Sequence, residues 1–256
     1  MAVAFCFMAY SDIDHPTVWQ KFFGSASASN TDYTIWLHSK ESIKESAVPN
    51  VRIVPTKPTE WGKWSIVEAQ QHLLECACAG DPRTKKVVLL SSDSIPLWDF
   101  RTVYDRIMAN DMNWVSMSER TIVGRPAKIA FGSRSTTVVA TGSQWVILTA
   151  ASVAAIRAAL PSIEKMRANF KIPDEHVYHT FFLNHQAEVY NTAPVHADFV
   201  RRAPAALCPH GPHRNKPFTY CYLTETDIQT AKDSGALFMR KICPGADLSV
   251  LCDSIK

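Results

Sequence analysis

No run in this 256-residue chain is long and apolar enough to suggest a membrane span. The opening MAVAFCFMAY is too short and lacks a basic flank, which excludes a signal peptide and leaves a first buried strand. There is no G-x-S-x-G, no Walker-type loop and no G-x-G-x-x-G, so hydrolase, NTPase and dinucleotide readings lose their usual supports. Excess charge is also scarce: 27 Lys and Arg against 24 Asp and Glu leave a net +3. That balance does not argue for a nucleic-acid partner, but it allows a local cationic pocket for an anionic ligand. A disulfide framework is missing too. The seven cysteines (6, 76, 78, 208, 221, 243 and 252) are odd in number and irregularly spaced, so reduced thiols and a cytosolic setting are expected. Cys208-Pro-His210-Gly-Pro-His213 shows no fourth ligand and reads as a Pro-stiffened loop rather than a zinc site.

What is present fits an ordinary globular protein, 46% hydrophobic and 20% charged, with strands and helices alternating along the chain. The expectation is a single α/β domain over residues 1–256, built on a mixed central sheet. Its organising stretch is Lys85–Phe100, where Val87–Leu90 runs unbroken before Ser91-Ser92-Asp93-Ser94. A short aliphatic run without alternation suits a strand buried on both faces. Loops at the carboxyl ends of such strands collect ligands, so these hydroxyls and Asp93 read as an acceptor-facing edge. The same residues suit a plain strand-to-helix turn.

Around that strand, Tyr33–His38 and Val51–Val54 read as strands, and Gly24–Asn30 as a flexible link. Gly62–Ala79 reads as a helix whose apolar face carries Trp64, Val67, Leu74 and Cys78, leaving Gln70, Gln71 and Glu75 off that face. Phe100–Ala109 reads as a helix and Trp114–Met117 as a short strand. Glu119–Ser143, with Arg120, Arg125, Lys128 and Arg134, resembles a long substrate loop. Gln144–Leu148 is expected as a strand, Ala150–Leu160 and His176–Asn184 as helices. Strands at Thr219–Leu223 and Ala236–Met239 and a terminal helix at Asp247–Asp253 complete the pattern.

Three sets of residues could carry chemistry. In Lys171-Ile-Pro-Asp-Glu175-His, Pro173 fixes the entry, Asp174 sits where a cap would, and Glu175 falls in the first helical turn. An ionised carboxylate there can accept a proton from a hydroxyl, although helix-start stabilisation alone explains the pattern. Arg240-Lys241 puts two cations at a strand end, suited to a diphosphate or simply to solvent. Arg214 and Lys216 are a weaker version of the same feature. Asp12-Ile13-Asp14 has the Asp-x-Asp form with which nucleotide-sugar enzymes hold a divalent ion, but it follows the first strand and reads better as a capping loop.

Several stretches occur together in order: Pro58-Thr59-Glu60-Trp61-Gly62-Lys63-Trp64-Ser65 with Val67-Glu68-Ala69, Leu89–Leu97, Gly142-Ser143-Gln144-Trp145, Pro173-Asp174-Glu175-His176 and Phe238-Met239-Arg240-Lys241. Together they resemble the core-2/I-branching β-1,6-N-acetylglucosaminyltransferase family, most like its plant-type branch, over nearly the whole chain. That family also includes peptide xylosyltransferases and glucuronosyltransferases. The resemblance implies a GT-A-like nucleotide-sugar fold, inversion at the anomeric carbon and no metal or other cofactor. It places the catalytic base at Glu175 and a diphosphate lysine at Lys241, with Arg240 or Arg214 as its partner. It puts His38, Pro55 and Thr56 at the nucleoside, and Gln144 and Trp145 near the acceptor.

The expected partners are therefore a UDP-sugar and a glycan or glycoprotein acceptor, with no nucleic acid and no membrane segment. UDP-xylose is the favoured donor and UDP-GlcNAc the next, because a compact chain without stem or disulfides resembles soluble members that decorate glycans outside the secretory path. By the same reasoning a cytoplasmic location is expected, in a virus or bacterium, against a trimmed luminal domain of a Golgi enzyme. Two rival readings stand beside this one. An inactive carbohydrate-binding relative would keep an aromatic platform of Trp61 and Trp145 without needing a base. A metal-dependent transferase would use Asp12 and Asp14.

Overall fold

The structure, a computed structural model, describes residues 1–25, 32–117, 139–185, 187–200 and 217–251. The link at 26–31, the basic loop at 118–138, the Cys208–Lys216 segment with Arg214, and Cys252 lie outside the described residues.

The chain begins with β1 (Ala2–Ala9), α1 (Pro16–Phe23), β2 (Tyr33–Ser39), β3 (Val51–Ile53), α2 (Trp64–Gly80), β4 (Thr84–Ser91) and the two-residue β5 (Ile95–Pro96). It continues through α3 (Phe100–Met108), β6 (Asn113–Trp114), β7 (Ile147–Thr149), α4 (Ala150–Glu164) and α5 (Val177–His185). Then come β8 (Val189–Tyr190), β9 (Val195–Ala197), β10 (Tyr220–Tyr222), α6 (Glu225–Asp233), β11 (Phe238–Arg240) and β12 (Ile242–Asp247). The main sheet has seven strands in the order β3-β2-β1-β4-β7-β6-β8. Its first four strands are parallel, and β7 then runs antiparallel to β4. This is a mixed α/β architecture of the GT-A-like kind.

The unbroken Val87–Leu90 run does lie at the sheet's centre and is fully buried. It is apolar on both faces because both faces are covered. On β1, Phe5 meets Phe22, Phe23, Phe100 and Phe238, so α1, α3 and β11 pack on its side. Alternation sends the neighbouring Cys6 to the other face. There its thiol senses Cys76 and Cys78 of α2. The α2 helix comes so close to the sheet that a Cβ on Gly80 would lie 2.2 Å from the Trp36 ring, so only glycine fits there.

A smaller sheet, β5-β11-β9, sits beside the main one, with Phe238 opposite Pro96 and Met239 opposite Ile95. Leaving that sheet, the chain passes over the Ser91–Ser94 loop, and the Ile242 N–H donates to the Asp93 carbonyl (3.0 Å). This pairing carries Arg240 and Lys241 to the carboxyl end of β4.

Several sequence expectations need correction. Residues 242–247 form β12, which pairs with β10, and only a 3-10 turn at Ser249–Leu251 follows where a helix was expected. The strands expected at Trp114–Met117 and Gln144–Leu148 shrink to β6 and β7. On α2, Gln70 and Gln71 are not off a buried face, being 0% and 3% exposed. The helix is covered by the sheet on one side and by α4 and the 173–175 turn on another, so its covered surface is wider than one apolar stripe. Cys6, Cys76, Cys78 and Cys243 are free thiols. No described helix is long and apolar enough to cross a membrane.

Candidate active site

Pro173, with its fixed φ, opens a tight turn rather than an α-helix. The Glu175 and His176 N–H groups donate to Ile172 and Pro173 carbonyls (both 3.0 Å), which makes Pro173–Glu175 a 3-10 turn, and α5 starts only at Val177. Asp174 is therefore not a helix cap. Its side chain is 3% exposed and packed inside the protein. Glu175 is half-buried beside it.

A second strand of chain clamps this turn. The Gly142 N–H donates to the Glu175 carbonyl (2.8 Å), and the Ala140 N–H donates to Thr180 Oγ1 (3.1 Å) on α5. Gly142 is required by contact: a Cβ there would lie 2.2 Å from His179 Nε2. That nitrogen donates to the Ser116 carbonyl (3.1 Å), and burial pushes the His179 pKa down to about 4, so the ring stays neutral. The clamp thus holds the Glu175 backbone with neutral groups.

Burial raises the Glu175 pKa above the ordinary carboxylate value, and the neighbouring Asp174 charge adds to the rise. Arg240 opposes both, and the Gly142–Trp145 segment links the two residues, bonded to the Glu175 carbonyl at one end and lying under the Arg240 guanidinium at the other. The Arg240 side chain is only 12% exposed, so the pair Arg240-Lys241 is not a solvated strand end. Its Nε donates to Ser91 Oγ (2.9 Å) and Asp93 Oδ1 (3.2 Å), its Nη2 to Asp93 Oδ2 (3.4 Å), and its plane lies 4.8 Å from the Trp145 ring centroid. Lys241 Nζ stands 3.9 Å from Asp93 Oδ2. A carboxylate able to take a proton and two cations able to meet an anion thus converge on one corner.

The family model described as "Branch: Core-2/I-Branching enzyme" matches residues 3–232. The chain belongs to the Core-2/I-branching enzyme family. It is similar to a rice (Oryza sativa subsp. japonica) protein named Glycosyltransferase BC10, with 25% identity over 223 residues, 73% of this chain and 54% of that protein. The chain spans about half the length of the curated relative it matches.

In this Core-2/I-branching chain, the remaining residues singled out by sequence fall into distinct groups. His38 lies one residue before the end of β2, where the Lys57 N–H donates to its Nε2 (3.0 Å) and burial lowers its pKa. Its buried Nδ1 has no hydrogen-bond partner. Thr56 donates its hydroxyl to the Ser39 carbonyl (2.9 Å), and Pro55 is exposed beside it. Because β2, β1 and β4 are parallel, this group and the Ser91–Asp93 loop share the carboxyl edge of the sheet.

The acceptor-side residues are more enclosed than sequence suggested. Asp93 is held by Arg240 and Lys241. Gln144 accepts a hydrogen bond from Gln70 (2.7 Å) and donates one to Asp174. Trp145 is 7% exposed and lies under Arg240, so it is a floor for a cation rather than an open platform, whereas Trp61 is 79% exposed.

Asp12 does not cap a helix: its carboxylate accepts from Ser46 Oγ (2.6 Å) and the Ile13 and Ala47 N–H groups (both 2.7 Å). Asp14 accepts from Ser92 Oγ (3.0 Å), and burial raises its pKa. Among the described residues, no group of three or more His, Cys, Asp or Glu side chains is arranged to hold a metal. Sequence reading missed Gln70 and Tyr178 as parts of the site. The only signal for the first was a Gln-Gln pair in the middle of the helix.

Proposed function

We propose that this protein is an inverting glycosyltransferase that moves a sugar from a UDP-sugar to a hydroxyl of a glycan or glycoprotein acceptor. The observation that carries the reading is the convergence of Glu175 with Arg240 and Lys241 on one corner at the carboxyl edge of the sheet. Glu175 takes the proton of the acceptor hydroxyl while the oxygen attacks the anomeric carbon from the face opposite the diphosphate. The bond from that carbon to the phosphate oxygen breaks, and UDP departs with the electron pair. Lys241 meets the negative charge growing on the leaving diphosphate. Arg240, already committed to Asp93 and Ser91, fixes where that charge is met.

A raised carboxyl pKa suits a general base, because a stronger base removes a hydroxyl proton more readily. His38 with Pro55 and Thr56 is proposed to hold the nucleoside, since a buried ring nitrogen without a partner stands there near the exposed Pro55. The acceptor is proposed to reach Glu175 past Gln144 and Trp145. Fixed cations take the place of a divalent ion, and UDP-xylose, then UDP-GlcNAc, is the proposed donor.

The test is UDP release from each UDP-sugar, with and without acceptor glycans, in the presence of EDTA. Release that depends on acceptor and survives the chelator is the expected result. Thermal shift with the same donors supplies a second readout, since a ligand at 100 times its Kd adds about 2.7 kcal/mol of native-state stability. A shift with none of the UDP-sugars would overturn the reading.

A further inference from the structure

Behind the Asp174–Glu175 turn lies a row of buried polar groups that the reaction itself does not use. The Tyr178 hydroxyl donates to Gln70 Oε1 (3.1 Å), and Gln70 Nε2 donates to Gln144 Oε1 (2.7 Å). The Gln144 amide then donates to the Asp174 carboxylate. Gln70 is 0% exposed, Tyr178 2% and Asp174 3%, so three members are shut away from water. They come from α5, α2, the Gly142–Trp145 segment and the turn itself, so the row ties four pieces of chain together.

Every hydrogen in this row points the same way, toward Asp174. Donor chains polarise one another, and here the polarisation ends on a carboxylate. Asp174 needs that help, because its Oδ1 is buried without a hydrogen-bond partner. An unsolvated carboxylate next to Glu175 would otherwise favour its protonated form.

We propose that Gln70, Tyr178 and Gln144 are positioning residues, which orient Asp174 and through it set the geometry and charge at Glu175. The proposal rests on the reading of Glu175 as the base. Gln70 and Tyr178 act only through their neighbours, since neither is accessible to a substrate.

The consequence for Glu175 has a definite sign. Four groups bear on it: Asp174 and His176 on its own turn, His179 a turn further along, and Arg240 from β11. His176 is buried, with Nδ1 2.7 Å from the Ile172 carbonyl, and its pKa, like that of His179, is lowered by burial. The charges that act on Glu175 are Asp174, which raises its pKa, and Arg240, which lowers it. Weakening the donor row lets Asp174 take up a proton. Glu175 then loses its negative neighbour, its pKa falls, and it becomes a weaker base.

The experiment compares wild type with Gln70→Met and Tyr178→Phe, measuring UDP release from UDP-xylose and UDP-GlcNAc across the acidic pH range. Gln70→Met should lower kcat about tenfold with donor KM unchanged, and should move the acidic limb of the profile to lower pH. Tyr178→Phe, which removes a single oxygen, should act in the same direction by about two- to threefold. Carboxyl-carbon NMR titration of Glu175 gives the same answer without turnover, its midpoint falling in both variants. Variants that melt cooperatively yet keep the wild-type kcat, pH limb and Glu175 midpoint overturn the proposal. If Gln70→Met does not fold, Tyr178→Phe decides. Wild-type turnover in Glu175→Gln would remove the base reading and this proposal together. An inactive Glu175→Gln beside unaltered relay variants would remove the relay alone.

Discussion

The chain has two pairs of acidic residues close together in sequence within each pair, Asp12 with Asp14 after β1 and Asp174 with Glu175 before α5, and the fold treats the pairs in opposite ways. At the first pair, Asp12 spends its oxygens on the Ser46 hydroxyl and two backbone N–H groups, and Asp14 takes the Ser92 hydroxyl. These are loop-to-loop ties. At the second, Asp174 is buried against Gln144, while Glu175 is clamped through its backbone and its carboxylate feels the Arg240 charge. A carboxylate whose lone pairs are filled by local donors holds structure. One whose backbone is fixed and whose charge is poised between burial and a cation is available for chemistry.

The sharpest way to break this contrast is Glu175→Gln. It should lower kcat by roughly 10²-fold or more with little change in donor affinity, because only the proton acceptor is lost. Asp12→Asn, assayed beside it with EDTA present, should keep its turnover. Equal losses in the two variants would erase the distinction and favour the metal-dependent reading.

Next in size is Lys241→Ala. It should weaken UDP binding and lower turnover together, about tenfold each, since the charge it supplies is present in ground and transition states alike. Titration calorimetry with UDP checks the first half, and affinity equal to wild type would place the diphosphate elsewhere.

Gly142→Ala sharpens the role of the clamp. The added methyl group must displace the His179 ring or the backbone that holds the Glu175 carbonyl. A loss of about 1–3 kcal/mol of stability in chemical denaturation is expected, together with reduced turnover in the molecules that remain folded. A variant as stable as wild type would show that the clamp yields easily.

The smallest effect is in pH-dependent stability. The folded pKa of Glu175 is raised, so the native state binds the proton more tightly than the unfolded chain. Stability from this group is present below the unfolded value and is lost as pH rises through the folded one. Glu175→Gln should therefore be more stable than wild type at neutral pH, with the gap closing in acid. A gap that widens in acid would reverse the sign assigned here.

The difference between the two acidic pairs was visible in sequence only in outline. Proline before Asp-Glu signals a tight entry, and the order of the motifs pointed to the right family, because local turn chemistry and short-range patterns survive as residue identities. What occupies each carboxylate does not. Ser46 meets Asp12 from 34 positions away, and Arg240 meets Asp93 from 147 away. Gln70 shows the same limit, since period-based reading assigns one buried face to a helix while α2 is covered on more than one side.

By itself, then, the sequence determined the alternating α/β order, the buried β4 strand and the residue types gathered at its carboxyl end. These follow from local propensity and from an aliphatic run with no polar alternation. Tertiary structure alone decided that the small β5-β11-β9 sheet lays Arg240 and Lys241 over Asp93, and that a glycine and a buried amide row hold the Glu175 turn. The physical reason is that charge and burial are properties of neighbours in space. A carboxylate becomes a tie, a cation partner or a base according to which donors and charges the packing brings within a few ångströms of it.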